Sequence, residues 1–244
     1  MDFDWTPEQT ALREQAREVA ADAVARFGRH NDSWINGYSK EFSKVLAEHG
    51  WIGLTWPTEF GGGGKPPIDR LIIAEELISA GAPVAAMWFA DRQMGPTLIA
   101  FGRDDQQAEF LPGILAGDST WCIGMSEPEA GSDLASLKTS ARRDGDDWII
   151  NGQKIWTSFA AVADYCYCIC RTSSEGPPHA GISEIIVPMS TPGTRTSVKN
   201  TSQKWRFVVM SVIGRTSIPG VSIGTMISLM PACGGPSVDV RQMR

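Results

Sequence analysis

Residues 126–133 read SEPEAGSD, directly after an apolar run, TWCIGM, that ends at Met125. A strand that finishes in small residues leaves main-chain N–H groups uncovered. Those of Ala130, Gly131 and Ser132, together with the Ser132 hydroxyl, can bind a phosphate. Glycine at 131 permits the close approach. At the strand end, Met125 and Ser126 alternate outward, where amides and a hydroxyl can hydrogen-bond the polar edge of a flat heterocycle. Further on, KIWTS supplies the Trp156 indole for stacking and the hydroxyls of Thr157 and Ser158. Together these features describe a site for a phosphate and a ring. Composition alone also fits a plainer account, in which SEPEAGSD is a surface turn and Trp156 a core aromatic.

Other residue types yield less chemistry. Cys166, Cys168 and Cys170 alternate along one segment, so they share one strand face opposite Tyr165, Tyr167 and Ile169. Structural zinc sites favour C-x2-C spacings with a second ligand pair, so these thiols read as small buried hydrophobes. His30, His49 and His179 are isolated from one another, and no metal or catalytic triad is assigned. The run Gly61–Gly64 lacks the GxxxxGK[ST] frame and follows no strand, which makes it a flexible loop. Trp51 and Trp56 flank that loop and pack beneath it. Arg92 and Gln93 read as a solvated helix start.

Bulk properties narrow the partners. The 244 residues carry a formal net charge of -6, which argues against nucleic acid, because phosphate neutralisation needs clustered Lys and Arg. No stretch approaches the length of uninterrupted apolar residues that a membrane helix needs, and the N-terminus, MDFDWTPEQT, is acidic where a signal peptide is basic. An odd count of 5 cysteines suits reduced thiols. The expectation is a cytoplasmic protein with a small-molecule ligand, and no membrane insertion.

The elements that must position the site fall into two styles. Thr6, Pro7 and Gln9 form a capping-box signature, followed by Leu12, Ala16, Val19, Ala23 and Phe27 as the apolar stripe of a helix. Helices follow at Lys40–His49, through PPIDRLIIAEELISAGA, at Gln93–Phe101 and in DDQQAEFLPGILAG. Near Ser119 the pattern changes to short β-prone runs: TWCIGM, LKTSARRD, DWIINGQKIW, DYCYCICRT and GISEIIVPM. Turn signals such as Asp144-Gly145 and Gly176-Pro177-Pro178 separate them. The reading is an α+β chain: an all-helical domain over 1–118, then a mostly antiparallel β domain over 119–193. Residues 194–244 carry +6 while the rest carries -12, and they keep neither period. They read as a strand-rich extension, as an atypical basic and partly disordered tail, or as the product of a change of reading frame near codon 193.

The segment WCIGMSEPEAGSDLASLKTSARRDGDDWIINGQKIWTS resembles the middle β domain of acyl-CoA dehydrogenases, whose pattern there is close to CxTEPxAGSD, a strand pair, then INGxKxWITN. GWIGLTWPTEFGGGG is similar to that family's GL-x-x-P-x-E-x-GG loop, RLIIAEELISAGAP to its EEL helix, and GPTLIAFGRDDQQAEFLPGILAGDS to the stretch entering the β domain. The resemblance runs in family order from Thr6 to Gly193. It implies FAD as cofactor and an acyl-CoA as substrate, with homo- or hetero-oligomers among family members. It places the backbone of Ile123, Gly124, Met125 and Ser126 near the flavin ring, and Gly131 and Ser132 near the pyrophosphate. Ser132 also matches a position facing the acyl-CoA thioester. Trp156, Thr157 and Ser158 match the second FAD segment. Ser126 and Ser158 stand where the family has Thr, and Phe159 replaces a small residue, which crowds the site.

The implied reaction is an α,β-dehydrogenation in which a glutamate removes the α proton while the β hydride passes to the flavin. The family's glutamate lies in a C-terminal helical domain, so no catalytic residue is assigned and the expected protein is a truncated homologue. Glu127 and Glu129 read as turn residues with a solvated or salt-bridging job. A second expectation is a non-catalytic subunit or scaffold that pairs with a complete relative.

Overall fold

The computed structural model describes residues 4–145, 147–200 and 206–216, and the side chains of 4–145 and 147–197. Six helices come first: α1 (Pro7–Phe27), α2 (Ser33–Asn36), α3 (Lys40–Glu48), α4 (Pro67–Ala80), α5 (Gly95–Phe101) and α6 (Asp104–Leu115). The capping box forms as expected. Gln9 N–H donates to Thr6 Oγ1 at 3.2 Å and Thr6 N–H to Gln9 Oε1 at 3.0 Å, which satisfies two otherwise orphaned donors. The buried stripe of α1 is Ala16, Ala20 and Ala23, small enough for α4 to pack closely against it. Arg13 and Arg17 fasten that contact by ion pairs to Glu75 and Glu76. No helix among the described residues is long and apolar enough to cross a membrane.

The loop after α3 is folded rather than flexible. Gly63 N–H donates to Gly53 O at 3.0 Å, Gly64 N–H to Trp56 O at 2.9 Å and Lys65 N–H to Leu54 O at 2.9 Å, so the chain doubles back on itself. The glycines permit this approach: a Cβ at Gly62 would lie 2.3 Å from Trp56 O. Trp56 is buried under the loop, with its Nε1–H donating to Asp91 O at 3.1 Å. Its ring lies against Gly95, where a Cβ would come within 1.9 Å of Cζ2. Trp56 packs beneath the loop as expected, and with such an anchor the glycine run is ordered, where its composition alone read as flexible.

Seven strands follow: β1 (Trp121–Gly124), β2 (Ser140–Asp144), β3 (Asp147–Lys154), β4 (Tyr165–Arg171), β5 (Ile182–Pro188), β6 (Thr194–Asn200) and β7 (Arg206–Thr216). They form one sheet in the order β1-β4-β2-β3-β7-β6, with β5 on β4. Asp144-Gly145 makes the β2–β3 hairpin, with Gly145 at a φ of 66° that favours glycine. The sheet is mixed, since β1 runs parallel to β4 and β2 touches β4 in parallel at Ser140 and Arg171. The cause lies at one corner, where Asp164 N–H donates to Thr120 O at 2.8 Å and Thr120 N–H to Asp164 Oδ2 at 2.7 Å. Both strands set out from that knot in the same direction.

The sheet does not stop at Gly193, where the composition changes. Thr194–Asn200 pairs with Arg206–Thr216, which pairs with β3 from Trp148 to Lys154. The bounds 119–193 stop short of these strands because neither alternates cleanly, whereas the strand-rich reading of the tail fits residues 194–200 and 206–216. The remainder of the tail reading concerns 201–205 and 217–244, which lie outside the described residues.

The main core runs through both halves, joining α1, α3 and α6 to Trp121 and Ile186 on one sheet face. Phe110 packs edge-on against Trp121 and Tyr165, at centroid distances of 5.4 and 5.2 Å. The opposite face buries Cys122, Cys166, Cys168 and Cys170 with Ile150, Ile185 and Val187. All four thiols are free. Among the described residues, no cluster of three or more His, Cys, Asp or Glu is arranged to hold a metal ion.

Candidate functional site

The site grows from the ends of β1 and β3. Beyond Gly124 the chain turns at Glu127–Ala130, closed by Glu127 N–H to Ala130 O at 2.8 Å and Ala130 N–H to Glu127 O at 3.2 Å. Beyond Lys154, Ile155 N–H donates to Ser126 O at 2.8 Å. This bond joins the two stretches that sequence reasoning singled out, residues 123–132 and 156–158. Pro128, Glu129, Gly131, Ser132 and Asp133 are exposed. The loop that follows is pinned to the sheet by Leu134 and Leu137 packing on Ile169, and by Arg171 donating to Ala135 O at 2.6 Å.

Beneath the turn sits a buried ion pair. Lys154 and Glu127 are 1 % and 5 % exposed, with Nζ to Oε1 at 2.8 Å, and Nζ also donates to Met125 O at 3.0 Å. Glu127 accepts further bonds from the amides of Lys138 at 2.7 Å and Thr139 at 2.9 Å. The carboxylate and ammonium are therefore well satisfied, which is the condition under which a buried pair is tolerated. Glu127 thus has a salt-bridging job, as expected, but as a buried post under the loop. Glu129 stays at the surface beside Lys138. The signal for this pair was present in DWIINGQK: alternation puts Lys154 on the face of buried Ile150, and an inward lysine requires a counter-charge.

Burial pushes the Glu127 carboxyl up, but hydrogen bonds from Lys154, Thr139 and the Lys138 amide outweigh it and hold the group at about 2. A depressed pKa in the fold stabilises it at any pH above the unfolded value of 4.5, and that stability is lost as pH falls toward 2. The contribution is roughly 3 kcal/mol at neutral pH. Urea midpoints measured at neutral pH, near pH 4 and near pH 2.5 should fall progressively, and the Glu127→Gln variant should lose most of that dependence.

Of the nine residues selected by sequence, several converge on the exposed side of this post. Met125 and Trp156 are 41 % and 60 % exposed and flank the Ile155–Ser126 junction. Trp156 takes a left-handed φ of 60°, unusual for a bulky residue and a conformation that tends to mark functional positions. Ser126 and Ser158 are half-buried beside it. Gly131 and Ser132 are open, and a Cβ at Gly131 would meet nothing within 4 Å, so the protein's own packing does not demand glycine there. Three of the nine lie elsewhere: the Ile123 side chain packs toward the helical core, Gly124 is buried and has no side chain, and Thr157 is fully buried with its Oγ1 lacking a partner. Only the main chain of those three can serve the site.

Phe159 does not crowd the opening. At a φ of 68° its ring turns inward between the two halves, 5.5 Å from Phe89 and 6.4 Å from Tyr38. Arg92 also departs from expectation. It lies in a π-helical turn, Ala90–Met94, with its guanidinium 3.9 Å over the Trp88 ring.

Comparison with known proteins accords with this geometry. The profile of the acyl-CoA dehydrogenase N-terminal domain matches residues 6–118, and that of the middle domain matches residues 122–213. The acyl-CoA dehydrogenase FadE26 of Mycobacterium tuberculosis is 41% identical over 202 residues, spanning 79% of this chain and 50% of its own length. The acyl-CoA dehydrogenase IpdE1 of the same organism is 45% identical over 156 residues, 64% of this chain and 40% of its own. Among solved structures, the Tcur3481-Tcur3483 steroid ACAD superposes with a TM-score of 0.80 at 37% identity, covering 88% of this chain and 57% of that one. The ChsE4-ChsE5 complex from Mycobacterium tuberculosis does so with a TM-score of 0.78 at 37% identity, covering 88% and 56%. This chain spans about half the length of the curated relatives it matches.

Proposed function

Because this chain belongs to the acyl-CoA dehydrogenase family, we propose that it serves FAD-dependent α,β-dehydrogenation of an acyl-CoA thioester, contributing the helical and middle-domain faces of that site. One observation carries the reading: the Ile155–Ser126 hydrogen bond sets an exposed indole beside uncovered main chain and an open Gly131-Ser132 loop. These residues fit FAD. Trp156 offers an aromatic face to the ring, the main chain at Met125 and Ser126 and the Ser158 hydroxyl offer hydrogen bonds to its polar edge, and Gly131 and Ser132 offer amides to the diphosphate. Ser132 also serves the thioester side. When bound, FAD supplies the redox chemistry by accepting the β hydride.

What the chain's own residues do is hold and orient. The Glu127–Lys154 post fixes the turn from below, so the amides above it keep their aim without reorganising. No acid among the described residues is assigned as the base that takes the α proton. The four buried free thiols favour a reducing compartment, the cytoplasm.

A second reading is favoured by the solved relatives whose titles name two components, ChsE4-ChsE5 and Tcur3481-Tcur3483. In it the chain is one subunit of a hetero-oligomer with family members. A flavin absorption spectrum of the purified protein, with and without added FAD, tests the first reading. Flavin retained or taken up is expected, and Trp156→Ala should weaken FAD binding about tenfold through the lost stacking. Protein that takes up no flavin alone, but does so once mixed with a complete relative, favours the second.

A further inference from the structure

Two bulky residues three apart, Trp156 and Phe159, take left-handed φ values of 60° and 68°. Glycine enters that region freely, whereas an L side chain crowds its own carbonyl there. Aromatic residues in it are outliers, kept only where their surroundings over-determine the backbone. Both ends of this segment are held. At the near end Ile155 N–H donates to Ser126 O at 2.8 Å, and at the far end the Phe159 carbonyl accepts from the N–H groups of Val162 at 2.9 Å and Ala163 at 2.8 Å.

The two rings are seated differently. Trp156 is 60 % exposed at the candidate site, so burial of its own ring does not force its backbone. Phe159 is 9 % exposed and lies between Phe89 and Tyr38, with ring centroids 5.5 and 6.4 Å away. Both neighbours belong to the helical half, and the Tyr38 hydroxyl also donates to Val162 O at 3.2 Å, across the same turn. Between the two rings Thr157 is fully buried, and Ser158 N–H donates to Trp156 O at 3.1 Å. A segment this short and this tightly tied passes any shift of Phe159 along to Trp156.

We infer that Phe159 is a positioning residue: its ring, wedged into the helical half, holds the Trp156 backbone in the left-handed turn that aims the indole at the flavin ring. This rests on the flavin reading above and deepens it, since the helical half then acts on flavin binding through one aromatic side chain. Without the wedge, residues 156–159 return to ordinary negative φ, and the exposed indole leaves its stacking position.

The test is a double-mutant cycle, read by isothermal titration of FAD into the flavin-free full chain. Where Trp156→Ala weakens binding about tenfold, Phe159→Ala should weaken it about fivefold, and the double variant should stay near tenfold, because the wedge then has no indole left to aim. Phe159→Leu, which keeps an apolar side chain in the seat, should restore most of the affinity. If Phe159→Ala does not fold, Phe89→Ala, which empties one side of the same seat, takes its place in the cycle with the same pattern expected. Unchanged affinity in the wedge variant overturns the inference alone. So does an additive loss of about fiftyfold in the double variant, which would make the ring ordinary core packing. An unsubstituted chain that takes up no flavin overturns the flavin reading and this inference with it.

Discussion

Glu127→Gln should lower the unfolding free energy by about 3–5 kcal/mol, read as a shift of the urea midpoint at neutral pH. Both carboxylate oxygens of Glu127 are in use, one accepting from the Lys138 amide and the other from the Thr139 amide and Lys154. Whichever way a glutamine is turned, its NH₂ faces an N–H donor, and the Lys154 ammonium, 1 % exposed, loses its counter-charge. Glu129→Gln, two residues away but at the surface, should change nothing measurable. Similar losses from both would show that the buried pair is not what holds the turn. The same experiment bears on cofactor binding, because a sagging turn carries the Gly131-Ser132 amides with it.

Trp56→Ala is the second large effect, about 3–5 kcal/mol of destabilisation by the same measurement. The indole is 2 % exposed and fills the space that Gly95 leaves for it. Truncation opens a cavity and strips the Asp91 carbonyl of its Nε1–H donor. A destabilisation under about 1 kcal/mol would mean that the glycine loop holds itself without its anchor.

Much of this was legible in the amino-acid order. The capping box at Thr6, the apolar stripe of α1 and the Asp144-Gly145 hairpin each depend on neighbours within a few residues, and each formed as the local pattern required. The proximity of Ser126 and Trp156 was legible only through resemblance, because nothing local ties residues so far apart. The misses share a cause. Phe159 between Phe89 and Tyr38, and Arg92 over Trp88, are long-range or off-period contacts in which one bulky side chain decides the local backbone; Trp56 was expected beneath its loop, but nothing local named Gly95 as its seat. Thr157 was chosen for its hydroxyl, yet its position after a left-handed residue turns it into the interior. Strands past Gly193 were one of several readings left open, because β7 finds its partner in β3, far back in the chain, while its own composition carries no alternation.

The parallel pairing of β1 with β4 bears on how the chain matures during synthesis. β1 takes its sheet partner from residues 165–168. The preceding helices rely largely on contacts among themselves and can condense as they leave the ribosome. The strand that leads into the candidate site must wait, tethered to α6, until a much later stretch has emerged. Ligand competence is therefore acquired late, as a property of the closed sheet and not of the helical scaffold that is born first.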